Sequence, residues 1–137
     1  MKKLLEFLLF AGLMGAAILA AGCVPSGDEG ADEPGYRRAT PEEAKELMDT
    51  ETDCVVLDVR SDEEYAKGHI PKAVLLPHTE IFSRAEEVLP DKEQCILVYC
   101  RSGNRSKLAA ADLAVLGYTN VVEFGGIINW DGDVVTD

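Results

Sequence analysis

Short apolar runs separated by polar turns are the main pattern in this chain. The runs are rich in Val, Ile, Leu and Tyr and show no strict alternation with polar residues. Such runs are typical of strands that are buried on both faces of a parallel sheet. We therefore predict strands at 54–60, 74–77, 95–99 and 121–123, with a short edge strand at 36–39.

Segments with helical character lie between these runs. Thr40, Pro41 and Glu43 form a helix start, with an N-cap, a proline at the first helical position and the glutamate of a capping box. The segment 107–116 is rich in Ala and Leu and is followed by Gly117, which is typical of a helix and its stop. We predict helices at 41–48, 62–67, 81–88 and 107–116, and a turn with a helical start at 125–130.

The alternation of strands and helices predicts the fold class. Short connections between them favour an α/β domain in three layers, with a central parallel sheet of about five strands and helices on both faces. In such sheets, sites form beyond the carboxyl ends of the strands. Cys100 directly follows one predicted strand, and Asp58 and Arg60 end another, so we expect them at the same edge.

The N-terminal segment differs in composition from the rest. Lys2 and Lys3 precede an apolar run at 7–21, which is shorter than the ~20 residues that a membrane span requires. This is the form of a secretory signal. The segment 19–23 resembles a bacterial lipobox, in which cleavage precedes a lipidated cysteine, here Cys23. An ordinary signal peptide and a buried anchor are the alternatives.

We therefore expect three regions along the chain. They are a lipoprotein signal at 1–22, a flexible acidic tether at 23–35, and a folded domain at 36–137. This organisation predicts an exported protein that is held at a membrane by its N-terminal lipid and faces the periplasm or the cell exterior.

The charge balance is acidic. The chain has 25 Asp and Glu against 13 Lys and Arg, a formal net charge of −12. An excess of negative charge argues against nucleic acid as a partner, because the phosphate backbone requires basic surface. It does not exclude a small anionic substrate, since a few local arginines are enough to bind one.

The residues after the 95–99 strand indicate chemistry. Cys100 stands between a strand and a helix, and Arg101, Gly103 and Arg105 follow it. The free amides at a helix N-terminus and a curled loop form a cradle for anions, which lowers the pKa of a cysteine from ~8.5. We interpret Cys100 as a nucleophile that faces an anionic substrate. The alternative is an inert structural thiol at the end of a core strand.

Several motifs in the same order resemble the rhodanese family. The resemblance covers about 36–131, and it looks like that of a single-domain rhodanese. The loop 100–106 is similar to the active-site loop of that family. The other matching motifs are Asp58-Val59-Arg60, Glu64-Tyr65, 68–73, Gly117-Tyr118, Asn120-Val121, and Gly125-Gly126 with Trp130.

The resemblance implies transfer of sulfane sulfur. Cys100 would attack the outer sulfur of a small anionic donor such as thiosulfate, forming a persulfide, and a thiol or protein cysteine would then accept the sulfur. Arg101 and Arg105 would bind the oxygens of the donor. The remaining anion-binding positions of the loop would be Ser102, Gly103, Asn104 and Ser106. The resemblance implies no metal or organic cofactor, and no spacing of metal ligands is visible.

The matching motifs at 58–60, 64–65 and 68–73 are interpreted as structural. Asp58 and Arg60 would hold neighbouring turns, and Glu64 lies one helical turn from Arg60, so we expect these two to pair. His69 is expected to have a structural role too, because a thiolate in an anion cradle needs no general base.

Two rival functions stay open. The first is cysteine-dependent phosphatase or arsenate reductase chemistry. Cysteine phosphatases also place a cysteine in an anion cradle, but their arginine stands six residues after it, where this chain has Ser106. A persulfide carrier or sensor that does not turn over would have the same residues as an enzyme, and only turnover with small donors separates the two.

The other cysteines are distant from this chemistry. Cys54 and Cys95 open two predicted strands, so a disulfide between them is possible in an oxidising compartment, although a pair of packed thiols is favoured. Cys95 and Cys100 lie ~16 Å apart on one extended strand and cannot form a bridge.

Overall fold

The computed structural model describes residues 35–137. The predicted signal at 1–22 and the predicted tether, except for Gly35, lie outside the described residues. The strands are β1 (Arg37–Arg38), β2 (Val55–Asp58), β3 (Val74–Leu75), β4 (Ile96–Cys100) and β5 (Val121–Gly126). The helices are α1 (Pro41–Thr50), α2 (Asp62–Lys67), α3 (Ile81–Val88) and α4 (Asn104–Val115), with short 3-10 helices at His78–Glu80 and Ile127–Asn129.

The five strands form one parallel sheet in the order β1-β5-β4-β2-β3. The predicted fold class is confirmed. β4 lies at the centre, and all five of its residues are buried. Its apolar sequence is explained by this position, because a central parallel strand has no face that contacts water.

Alternate residues of β4 pack into two separate cores. Ile96, Val98 and Cys100 face the layer that includes α3 and α4. Leu97 and Tyr99 face the layer that includes α1. The domain therefore has three layers, with helices on both faces of the sheet.

Capping residues define the starts of α1 and α2. The Thr40 hydroxyl accepts from the Glu43 amide, and the Glu43 carboxylate accepts from the Thr40 amide. Ser61 and Glu64 form the same capping box on α2. The predicted start of α1 is confirmed, because this reciprocal pairing satisfies amides that the helix leaves free.

The elements around the predicted site differ from the sequence-based bounds. β4 includes Cys100, β5 continues to Gly126, and α4 begins at Asn104 rather than at 107. The polar residues at 104–106 interrupt the apolar pattern, but the first turn of a helix at a sheet edge does not need an apolar face. The site is therefore built on regular elements, with three loop residues between strand and helix.

Cys54 and Cys95 form a disulfide, so the favoured interpretation of packed thiols is wrong. The register pairs Val55 of β2 with Ile96 of β4, which places the preceding cysteines side by side, with their Cα atoms 4.6 Å apart. Cys100 is the free cysteine of residues 35–137. Within that range, no helix combines the length and the apolar character that crossing a membrane would need.

Candidate active site

Cys100 occupies the carboxyl end of the central strand. Its side chain is fully buried. The pairing of β4 with β5 shifts register between Val98 and Cys100, so that Cys100 lies opposite Gly126. An irregularity of this kind generally bends a strand and increases its local twist. The expected position at the sheet edge is confirmed.

The loop 101–103 directs backbone amides at the thiol. Gly103 has a left-handed conformation with φ of 103° and is the N-cap of α4. Its amide donates to Cys100 Sγ at 3.0 Å. A residue with a Cβ is strained at this φ, so glycine is what allows the loop to close over the sulfur.

Ser106 adds a hydroxyl to the same cradle. It lies in the first turn of α4, fully buried, with its Oγ 3.5 Å from Cys100 Sγ. Burial of the thiol raises its pKa. The hydrogen bond between the thiol and the Ser106 hydroxyl, with those from the amides of Ser106, Gly103 and Ser102, outweighs this, so the pKa of Cys100 lies below the ordinary thiol value.

Gly125 and Gly126, which end β5, pack directly against the loop 101–103. A Cβ on Gly126 would overlap the carbonyl group of Arg101 and approach Ser102 Cα. The same Arg101 carbonyl accepts from the Ile128 amide at 3.2 Å. The close approach therefore requires glycine at 126, and it fixes the height of the loop above the sheet.

Arg105 forms an ion pair with Glu64 rather than lying free for substrate. Its Nη1 and Nη2 atoms lie 2.7 and 2.8 Å from the two Glu64 oxygens. This bidentate pair, helped by the Ser61 cap and opposed by burial, holds the pKa of Glu64 well below its usual range. The predicted pairing of Glu64 with Arg60 is wrong, because Arg60 is bound elsewhere.

Arg60 belongs to a buried network with Asp58 and Tyr99. Its Nε and Nη2 atoms donate to the Asp58 carboxylate at 2.6–3.1 Å, and Nη2 also donates to the Gly68 carbonyl at 2.8 Å. Tyr99 donates to Asp58 at 2.6 Å and accepts from the Ile70 amide. Burial and the Asp58 carboxylate raise the pKa of Tyr99. The network ties the end of β2 to the turn after α2.

His69 contacts α2 and the C-terminal segment. It is buried and stacks on Tyr65, with ring centroids 3.8 Å apart. Its Nε2 atom lies 3.4 Å from an Asp137 oxygen, and its backbone pairs with Val135. These contacts fasten the C-terminal segment to the domain.

The remaining loop residues face outward. Arg101, Ser102 and Asn104 are exposed, and Ser102 offers the thiol its amide. The Arg101 side chain lines a surface pocket of about 520 Å³ beside the loop. Cationic, acidic and apolar side chains share this pocket, namely Arg60, Glu64, Lys67, Ile127, Ile128 and Val134.

The comparison with known proteins agrees with this geometry. A family model described as the rhodanese-like domain matches residues 40–133. The chain belongs to the rhodanese family. A sulfurtransferase of Allochromatium vinosum is 42% identical over 88 residues, which cover 64% of this chain and 79% of that protein. The predicted family and sulfurtransferase-type function are confirmed.

Two proteins of Escherichia coli give further matches. The thiosulfate sulfurtransferase PspE is 37% identical over 71 residues, 52% of this chain and 68% of the relative. A solved structure described as a rhodanese with anions superimposes with a TM-score of 0.58 and is 32% identical, covering 61% of this chain and 99% of the other.

Two charged residues near this rhodanese site were not predicted from the sequence. Glu123 of β5 is 1% exposed, and its Oε1 atom accepts from Ser106 Oγ at 2.6 Å. Arg38 of β1 lies 3.5 Å from the other Glu123 oxygen. An acidic residue inside an apolar strand, just before Gly125 and Gly126, was the available signal.

Proposed function

We propose that this rhodanese moves sulfane sulfur from thiosulfate, or from a related persulfide or polysulfide, to a thiol acceptor through a persulfide on Cys100. The observation that carries the proposal is the environment of Cys100 Sγ. A buried thiol with the Gly103 amide at 3.0 Å and a lowered pKa is suited to be a nucleophile.

The reaction has two displacements at sulfur. In the first, the Cys100 thiolate attacks the outer sulfur of thiosulfate, the S–S bond breaks, and sulfite leaves with the bonding pair. In the second, an acceptor thiolate attacks the outer sulfur of the persulfide and Cys100 leaves as a thiolate. The amides that stabilise the thiolate also stabilise the persulfide anion.

Donor binding is assigned chiefly to Arg101. Both Nη atoms of Arg105 are bound by the carboxylate of Glu64, so an anionic donor has to compete with that carboxylate. Arg101 lies exposed on the loop and lines the adjoining pocket, whose apolar residues Ile127 and Ile128 suit the carbon part of a larger donor or acceptor.

Steady-state kinetics test this function. We expect turnover of thiosulfate with cyanide or a thiol, parallel double-reciprocal plots, and no turnover with Cys100→Ser. Hydrolysis of an aryl phosphate that depends on Cys100, without sulfur transfer, would contradict the proposal in favour of a phosphatase. A single round of sulfur loading without turnover would favour a carrier.

The location of the enzyme is a second part of the proposal. We propose that the chain is exported and anchored through lipid on Cys23, for which the lipobox-like 19–23 segment is the support. The Cys54–Cys95 disulfide fits an oxidising compartment. Detergent phase partition of the full chain and of Cys23→Ala tests this, and equal partition of both into the aqueous phase would contradict it.

A further inference from the structure

Glu123 is a buried carboxylate that sulfur transfer, as described above, does not use. Its Oε1 atom accepts from the Gly125 amide at 2.8 Å and contacts Ser106 Oγ at 2.6 Å. Its Oε2 atom lies 3.5 Å from Arg38 Nε, which has no hydrogen-bond partner among residues 35–137. Burial of a carboxylate with an imperfect ion pair is costly, so its position next to the nucleophile needs a reason.

The Ser106 hydroxyl joins Glu123 to Cys100. Its Oγ atom lies 3.5 Å from Cys100 Sγ, 2.6 Å from Glu123 Oε1, 3.0 Å from the Gly103 carbonyl oxygen and 3.3 Å from that of Gly125. A hydroxyl has one proton to donate. It cannot donate to the carboxylate and to a thiolate at the same time. Its acceptor therefore depends on whether Cys100 or Glu123 carries the other proton.

We propose that Cys100, Ser106 and Glu123 form a proton relay in which Glu123 accepts the proton of the Cys100 thiol through the Ser106 hydroxyl. In one arrangement the thiol donates to Ser106 Oγ and Ser106 donates to Glu123. In the other, protonated Glu123 donates to Ser106 Oγ and Ser106 donates to the Cys100 thiolate. Glu123 acts through Ser106 and is therefore a positioning residue.

The two arrangements differ only by two proton shifts. The Sγ–H bond of Cys100 breaks as a new O–H bond forms on Ser106. The original O–H bond of Ser106 breaks as a bond to Glu123 Oε1 forms. No electrons are exchanged with any other group, and the single negative charge moves from Glu123 to Cys100.

The surrounding charges are few and can be assigned. Arg38 faces Glu123 from β1 and shares a surface pocket with Glu43 and Glu46 of α1. On the other side, Arg105 of α4 lies close enough to Cys100 for the thiolate to raise its pKa, after the larger effect of its Glu64 partner. Glu64 is thus the competing source of any acid dependence at Cys100.

The relay predicts a specific pH profile for thiolate reactivity. When Cys100 and Glu123 share one proton, the fraction of thiolate is independent of pH, and reactivity reaches a plateau. When the last proton leaves, reactivity rises again. Two coupled groups therefore give two steps, which separate once they interact by more than about one pKa unit. An isolated thiol gives one step.

The test is alkylation of Cys100 in the full chain by the neutral reagent iodoacetamide across the pH range. Peptide mass spectrometry reports Cys100 separately from Cys23. We expect two steps in the wild type, and a single step in Glu123→Gln and in Ser106→Ala. Glu64→Gln should keep both steps, because Glu64 lies outside the relay. Circular dichroism confirms that each variant is folded.

A single step in the pH profile of Cys100 alkylation in the wild type would by itself overturn the relay. Two steps that persist in Ser106→Ala or in Glu123→Gln would overturn it as well, and a folding failure of a variant leaves the wild-type result decisive. The inference concerns the cysteine on which the proposed function rests. Alkylation needs no sulfur donor, so failure of sulfur transfer and failure of the relay are distinguishable.

Discussion

At the scale of single residues, the reactivity of Cys100 is decided by two opposing effects. Complete burial disfavours a thiolate, and the Gly103 amide, the Ser106 hydroxyl and the amides around them favour it more strongly. Arg105 contributes less directly than the sequence suggests, because Glu64 occupies its guanidinium. Under the proposed function, Glu64 is therefore the residue at which we expect a substitution to increase affinity for an anionic donor.

We expect Glu64→Gln to lower the KM for thiosulfate. Glutamine keeps a capping-box acceptor for Ser61, removes a negative charge and releases Arg105. If release of Arg105 makes the binding free energy of the donor about 1 kcal/mol more favourable, KM falls about fivefold. Steady-state kinetics measure this, with Glu63→Gln, an exposed neighbour on α2, as the matched control. An unchanged or higher KM in Glu64→Gln would contradict the assigned role of the pair.

The same substitution has a predicted dependence on pH. Because the folded-state pKa of Glu64 is lowered, the pair stabilises the fold fully above the ordinary carboxyl pKa of ~4.3. That stabilisation is lost as pH falls from there through the lowered pKa. We expect Glu64→Gln to lower the free energy of unfolding by about 1 kcal/mol at neutral pH. The difference in melting temperature between the wild type and this variant should be smaller in acid, and a difference that does not change with pH would contradict the assignment.

At the scale of elements, the site depends on how β4, the loop 101–103 and the end of β5 fit together. β4 delivers the cysteine, and α4 delivers Ser106 and free amides. The Gly125-Gly126 turn sets the position of the loop, since the Arg101 carbonyl group lies where a Cβ of residue 126 would be.

We expect Gly126→Ala to damage activity and stability together. Overlap with the loop backbone should cost about 1–3 kcal/mol, and displacement of the loop should lower kcat/KM roughly tenfold to a hundredfold. Gly117→Ala is the control, because φ of 94° strains alanine by ~1 kcal/mol but no backbone atom is displaced. It should leave kcat/KM unchanged. Denaturant unfolding and kinetics measure both, and full activity in Gly126→Ala would contradict the fit described here.

At the scale of the whole molecule, the disulfide and the cysteine of the candidate site lie at opposite ends of the sheet. The Cys54–Cys95 disulfide joins the amino ends of β2 and β4, and Cys100 lies at the carboxyl end of β4. The disulfide connects positions 41 residues apart, which restricts the unfolded chain. It is expected to support the fold without contacting the site.

We expect Cys54→Ala/Cys95→Ala to lower the free energy of unfolding by ~4 kcal/mol on the loop-entropy scale. Formation of a Cys100 persulfide should persist while the variant is folded. Urea unfolding with and without a reductant measures the first effect. If reductant destabilises Cys100→Ser, which keeps the disulfide, by less than ~1 kcal/mol, the assigned contribution is wrong.

The sequence predicted the layers and the position of Cys100 at the end of a strand because both follow from local patterns. The buried run that ends at Cys100 and the loop that follows it, with Gly103 and two arginines, are continuous in the chain. The pairings between distant segments were harder to predict from the sequence. Glu64 is 41 residues from Arg105, and the register of β2 on β4 that joins Cys54 to Cys95 leaves no local signal. Glu123 gave only the signal of an acidic residue in an apolar strand, because its contact with Ser106 on α4 depends on the fold.

The central claim is that Cys100 carries sulfur as a persulfide, and one measurement tests it most directly. The full chain is incubated with thiosulfate, or with a persulfidated thiol, and the Cys100 peptide is weighed by mass spectrometry beside that of Cys100→Ser. We predict a gain of one sulfur atom that cyanide removes and that the variant lacks. No gain with either donor would contradict the claim.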